Sequence, residues 1–491
     1  MTPSKSPEPG TRRVVIDPVT RVEGHGKITL LLDQDNHVQE ARLHIVEFRG
    51  FEKFIQGRPY WDVPFFVQRL CGICPVSHQL AAAKAVDQIA GVDQLTPAAE
   101  KLRRLLHFGQ VLQSHALHFF HLTAPDFLFG FGSDPMQRNI AGVLEKHPEI
   151  AMQGIKLRKF GQQIIEAITG KRVHGTGTVP GGMNKPLAQD RRDILLAGIT
   201  DILQWSEQAV RLNAQIHTMH AEHAGFATMP TNYLCMTGGN GELELYHGGL
   251  RARYPDGAII FDQFDYCGYQ QILREEVRPW SYMKFPYLLQ LGQTQGWYRV
   301  GPLARVNNCD HIATPRAEAA RRHFKVMGQG GPVHATLGYH WARMIEALHC
   351  AESIEILLHD PDITGTDLIA GKGVRRHEGI GVIEAPRGTL FHHYQVNDEG
   401  IVTRANLIVS TTSNNQAMNE SVRIVANRYL DGREITEGLL NHLEVAVRAY
   451  DPCLSCATHA LGKMPLQVEL IDAQGTLVHR LIKNSDGQFC A

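Results

Sequence analysis

Two Cys-x-x-Cys pairs constrain this chain more than any other feature. The first lies in RLCGICPVSH at 69–78 and the second in DPCLSCATH at 451–459. A turn of chain between the two cysteines of such a pair puts both sulfurs on one side, within reach of one ion. Two pairs supply four soft ligands, a set that suits zinc, iron–sulfur or nickel. Cys71 and Cys453 stand about 380 residues apart, whereas a structural zinc knuckle organises a short local segment. If all four serve one centre, the C-terminal region has to return to the segment near residue 71. The chain has 491 residues and is 43% hydrophobic, so it can build a core without a zinc staple. A histidine also follows each pair, His78 four residues after Cys74 and His459 three after Cys456.

The bulk properties exclude several classes. A formal net charge of -1 and a pI near 7.1 give no global electrostatic case for nucleic acid or an anionic membrane. No stretch approaches the roughly 18 apolar residues of a bilayer span. The start, MTPSKSPEPGTRR, carries positive charge with no apolar segment behind it, so it reads as a lead-in and not a signal peptide. These features predict a cytoplasmic protein that is not membrane-integral. The 26 histidines invite a search for metal or proton chemistry. Nine cysteines at long spacings do not form a secreted disulfide framework. Cys235, Cys267, Cys309 and Cys350 stand alone among apolar or aromatic neighbours and read as buried structural thiols.

Periodicity divides the chain without a linker. Residues 12–50 alternate or are rich in β-branched residues and predict strands. From about 66 to 222 apolar residues recur at helical spacing, starting with an Ala-rich stretch after Pro75. The glycines of KRVHGTGTVPGGMN lack the strand and helix of a dinucleotide loop and predict a turn. Further helices are expected at 315–358 and 434–449, and strands at 378–412. The tail, with LQVELID and TLVHRLI, predicts a hairpin. The pattern is that of one α+β unit over 1–459, a large helical bundle with peripheral β elements.

RLCGICPVSH and DPCLSCATH resemble the two signature motifs of nickel–iron hydrogenase large subunits. The resemblance continues in TRVEGHG at 20–26, RGFE at 49–52, PGG at 180–182, EAPRG at 384–388 and a strand ending VSTT at 409–412. RGFEKFIQGRP and DPCLSCATHALG are most similar to the NAD-linked, bidirectional soluble branch, with the deazaflavin- and NADP-linked branches as near relatives.

This resemblance implies a set of roles. Cys71 and Cys453 become terminal nickel thiolates, and Cys74 and Cys456 bridge nickel to an iron carrying carbon monoxide and cyanide. Four thiolates leave a bridging position open for Lewis-acid chemistry. The thiolate of Cys453 takes the proton when H2 is split, and Glu23 relays it onward. Arg387 lies over the metal pair, where five fixed donors suit an anionic diatomic ligand. Asp451 partners Arg387, Pro386 and Leu390 form a dry wall, Thr411 adds a hydroxyl donor, and His78 tunes a bridging sulfur. Glu52, His459 and the carbonyl of Leu407 hold a magnesium or iron ion. Outside that resemblance, Glu23 reads as a solvated glutamate and Arg387 with Asp451 as an ordinary surface pair.

The resemblance further implies that a protease cuts after His459 once nickel-insertion proteins have filled the site, so that 460–491 is removed. The β pattern of that tail leaves a permanent hairpin as the alternative. The chain carries no Walker loop, no Rossmann fingerprint and no cysteine cluster for a chain of iron–sulfur centres. Electrons must therefore leave through a small subunit with iron–sulfur clusters, and onward through a flavin (FMN) diaphorase that binds NAD. Competing readings are a metal-free relative within respiratory complex I, which lacks the cysteine pairs, and a zinc-stabilised scaffold, which leaves Glu23, Arg387 and Glu52 unexplained.

Overall fold

In this computed structural model the described residues are 12–458, with the strand backbones of 466–471, 477–483 and 489–490. Strands Arg12–Ile16, Gly26–Leu32 and Val38–Ile45 form an antiparallel sheet in that order. The middle strand buries alternate residues, Ile28, Leu30 and Leu32, on one face. The helical part follows as expected. Its long members are Pro75–Ile89, Pro97–Ala116, Pro148–Thr169 and Gln189–Met219, joined later in the chain by Gly338–His359. Helix Pro97–Ala116 packs against Pro148–Thr169 and Gly338–His359, and Gln189–Met219 also packs against Gly338–His359. Proline stands at the start of helices Pro75–Ile89, Pro97–Ala116 and Pro148–Thr169, where its missing N–H has no helical partner to lose.

A second antiparallel sheet, Glu378–Ala385, Gly388–Val396 and Val402–Ile408, lies on helix Pro75–Ile89. The approach is at backbone distance. A Cβ built on Gly381 would sit 1.9 Å from the Ala81 carbonyl oxygen, and one on Gly379 2.1 Å from that of Ala85. The alanine run of the helix and these glycines are what let strand and helix touch. The contact brings the EAPRG turn beside the first cysteine pair.

The strand expected to reach 412 ends at Ile408, and Ser410–Ser413 is a turn of helix. There the Ser410 hydroxyl donates to the Gly388 carbonyl (2.6 Å), and the Thr411 hydroxyl accepts from the Cys453 amide (3.0 Å). Side-chain bonds to other segments replace the ladder. The tail pattern forms strands Leu466–Ile471 and Leu477–Lys483, paired antiparallel. One continuous hydrophobic core runs from Val19 to Ala457 and contains all four cysteines of the two pairs. Of the lone cysteines, Cys235, Cys309 and Cys350 are buried as expected, but Cys267 is exposed. It is the second residue of a short 3-10 helix, Tyr266–Gln271, whose buried residue is Tyr269, so its aromatic neighbours do not cover it.

Candidate metal centre

Each cysteine pair is held by its own local structure. Cys71 ends a 3-10 turn, and Cys74 is the residue preceding helix Pro75–Ile89. Amides at that helix start point toward the sulfurs: Ile73 and Cys74 each donate to Cys71 Sγ at 3.3 Å. The loop is clamped from outside. Gln110 and Gln113 donate to the Ile73 carbonyl (2.8 and 2.7 Å), and Arg49 of RGFE donates to the Leu70 and Arg69 carbonyls (2.9 and 3.0 Å). The second pair follows helix Glu437–Arg448 through Asp451, whose φ is +53°.

The four sulfurs converge. All of them lie within 4.8 Å of one another, and Cys71 Sγ and Cys453 Sγ are 3.3 Å apart. Exposure is 5% or less for each. Crowded, buried thiols cannot all ionise without a cation. Hydrogen bonds from Cys453, Cys456 and Cys71, with a smaller one from His78, hold the Cys74 thiol well below its ordinary range. The same bonding, followed by burial, pushes Cys453 well up, and burial foremost does so for Cys456. A soft cation removes this conflict, so the donor set fits a nickel–iron centre.

Glu23 reaches the site from the first sheet's connection. Its backbone bridges that of Cys453, and its carbonyl accepts from the Leu454 amide (2.9 Å). Its carboxylate accepts from the Ser455 hydroxyl and, at 3.3 Å, from the Ser455 amide. Gly24 permits this approach: its φ is +85°, and a Cβ there would lie 2.7 Å from the Ser455 nitrogen.

Arg387 is 3% exposed. Its Nε donates to the Asp451 carbonyl (2.5 Å) and one terminal nitrogen to the Asp451 carboxylate (3.0 Å). Burial alone would lower its pKa, but Asp451 and then Cys453, Cys74 and Cys71 raise it well above the usual value, which puts the guanidinium against the sulfur cluster. Pro386 and Leu390 are buried close in sequence to Arg387, and the buried Thr411 reaches the second pair through the Cys453 amide. His78 Nδ1 lies 3.1 Å from His392 Nε2, and His392 Nδ1 lies 2.5 Å from the Tyr394 hydroxyl.

Glu52 and Leu407 also meet, through the Leu407 amide, which donates to the Glu52 carboxylate (2.8 Å). Lys284 Nζ lies 3.7 Å from Glu52 and 3.2 Å from Glu275. Burial raises both carboxyls against the opposing pull of Lys284. His459 lies outside the described residues.

Sequence reasoning missed Ser455, Lys284, Glu275 and the support beneath EAPRG. There Arg305 donates to Glu384 (2.8 Å) and to the carbonyls of Ala385 (2.9 Å) and Pro386 (3.2 Å), while Glu346 grips it from the other side. Ser455 and Glu384 sit inside quoted motifs and could have been found. Lys284 and Arg305 carry no local signal.

Comparison with known proteins agrees with this geometry. The profile of the family described as nickel-dependent hydrogenase matches residues 49–130 and 251–459, and a profile described as HoxL-like matches 13–48. The beta chain of the NAD-reducing hydrogenase HoxS of Cupriavidus necator is 48% identical over 483 residues, covering 95% of this chain and 99% of that one. The chain belongs to the nickel-dependent hydrogenase family. An F420-non-reducing hydrogenase chain of Methanothermobacter marburgensis is 39% identical, covering 96% of this chain and all of its own. A solved NAD+-reducing [NiFe]-hydrogenase in its H2-reduced state superposes with a TM-score of 0.90 at 58% identity, over 91% of this chain and 99% of that one. The [NiFeSe]-hydrogenase of Dm. baculatum shares the fold, with a TM-score of 0.74 at 23% identity. The hydrogenase is therefore a nickel–iron enzyme of mixed helix and sheet. Among its described residues no helix is long and apolar enough to cross a membrane.

Proposed function

We propose that this hydrogenase is the catalytic component of a cytoplasmic assembly that reversibly cleaves H2 into two protons and two electrons, with NAD(P)+ as final electron acceptor. The observation that carries the reading is the meeting of four buried sulfurs, with Glu23 held to the Cys453–Ser455 segment and Arg387 held to Asp451. Cys71, Cys74, Cys453 and Cys456 hold nickel and iron, which supply the Lewis acidity for heterolytic cleavage when bound. Carbon monoxide and cyanide on the iron suit the guanidinium of Arg387.

Cys453 accepts the proton at Sγ, and the Glu23 carboxylate beside its strand takes it toward solvent. Asp451 orients Arg387, Pro386 and Leu390 exclude water, Thr411 offers its hydroxyl hydrogen, and His78 steadies the Cys74 sulfur. Glu52, the main chain at Leu407 and His459 hold magnesium. Electrons leave through an iron–sulfur small subunit to a flavin (FMN) diaphorase, in keeping with the NAD-reducing relatives. Cleavage after His459, catalysed by a maturation protease after nickel insertion, removes 460–491. The family profile ends at 459, which supports this boundary.

Metal analysis and infrared spectroscopy of the purified complex test the reading. About one nickel per chain with carbonyl and cyanide stretches is expected. Zinc alone in a tail-free chain, with no diatomic bands, refutes it.

A further inference from the structure

The C-terminal end of helix Gln189–Met219 carries histidines at 217, 220 and 223, with Glu222 among them. One ligand atom from each of His220, Glu222 and His223 lies within 4.8 Å of the others. His220 Nδ1 is 3.2 Å from Glu222 Oε1, and His223 Nε2 is 3.8 Å from the same oxygen. Ligands about 2.05 Å from a tetrahedral ion stand about 3.4 Å apart, so these gaps need only small side-chain motions to close.

The protonation pattern points to a cation. His220 Nε2 donates to the Phe127 carbonyl (2.9 Å), the outer bond that a metal-binding histidine makes with its other nitrogen. In the neutral ring, that bond leaves a lone pair on Nδ1 aimed at a carboxylate oxygen, two acceptors face to face. The His223 ring is stacked on Phe131, with centroids 4.4 Å apart, and its Nδ1 is buried without a partner.

A second, independent observation lies beside the cluster. A small cleft is lined by His217, His220 and His223 together with His340. His340 is 2% exposed, and its Nε2 has no hydrogen-bond partner. A buried imidazole nitrogen left unsatisfied is destabilising unless something in the cleft pairs with it.

We propose that His220, Glu222 and His223 form a second metal site, specific for a borderline divalent ion such as zinc or nickel. Two imidazoles and one carboxylate match that ion class, and a fourth position stays open to the cleft for water or an anionic ligand. The site is separate from the four sulfurs and tethers the end of helix Gln189–Met219, through His220, to the Phe127 carbonyl.

The test uses the purified complex, with its own metals in place, stripped of loosely held ions by a brief chelator wash. Titration calorimetry with Zn2+ is expected to show one ion per chain. X-ray absorption at the zinc edge is expected to show nitrogen and oxygen ligands at about 2.0–2.1 Å and no sulfur at about 2.3 Å. The double variant His220→Gln/His223→Gln loses more than the ~10–100-fold in affinity that an outer partner is worth. Glu222→Gln, an exposed change, guards against misfolding and is expected to weaken binding about tenfold. Absence of binding, a sulfur shell, or unchanged affinity in the double variant overturns the proposal and leaves a plain His220–Glu222 contact.

Discussion

Replacing Glu346 with glutamine tests how the EAPRG turn is supported. Glu346 is fully buried. Arg305 donates to both of its oxygens (2.5 and 2.6 Å), and His115 Nε2 lies 3.0 Å away. Burial alone would raise the Glu346 carboxyl, but Arg305 outweighs it and holds the value at about 2. Against an unfolded value of about 4.3, and at about 1.36 kcal/mol per pKa unit, the ionised carboxylate contributes about 3 kcal/mol. A depressed carboxyl stabilises above its unfolded pKa and loses that contribution as pH falls through the folded one. The contribution is therefore whole at pH 7, roughly halved at pH 3 and nearly gone below pH 2. Breaking a buried pair costs about 3–5 kcal/mol by an independent route, which agrees.

At about 2.1 cal/mol/K per residue, unfolding a chain of this length carries roughly 1 kcal/mol/K, so Glu346→Gln lowers Tm by about 3 °C at pH 7. Scanning calorimetry at one scan rate, on cofactor-free chain, reads the shift at pH 7 and pH 3. Equal Tm values at pH 7, or a gap that does not narrow by pH 3, refute the reasoning.

Three further outcomes follow from the site. Glu23→Gln keeps its nickel but loses about 10²–10⁴-fold in H2 oxidation, and activity within twofold of the parent would remove Glu23 from the proton route. Arg387→Lys, which replaces a fork by a point charge, loses about 10²–10³-fold at unchanged nickel content, and an unaltered rate argues against the guanidinium's role. Gly381→Ala forces strand and helix apart at the Ala81 carbonyl and costs about 1–3 kcal/mol, read as a lower Tm; a neutral result contradicts the close packing.

Several features were legible because they are local. The spacing inside RLCGICPVSH and DPCLSCATH named the ligands. Helical periodicity from 66 to 222 and alternation at 12–50 and 378–412 named the elements that carry them. The α+β class followed from the same patterns. Local patterns failed where neighbours in space override neighbours in sequence. Cys267 has aromatic neighbours yet faces solvent, and VSTT reads as strand yet turns into helix because Ser410 and Thr411 bond to distant segments.

Residue types and spacing by themselves marked two cysteine pairs as candidate metal ligands. The resemblance to hydrogenase large subunits, and not residue type or spacing, made Glu23 and Arg387 candidates beside that site. Tertiary structure alone decided that the four sulfurs share one buried space. It also set Ser455 against Glu23, Lys284 between Glu52 and Glu275, and Arg305 beneath Pro386. The physical reason is range. Periodicity and turn chemistry act over a few residues, whereas all of these contacts but Lys284–Glu275 join segments tens to hundreds of residues apart. They depend on how closely backbones approach, which alanines and glycines such as Ala81, Gly381 and Gly24 set.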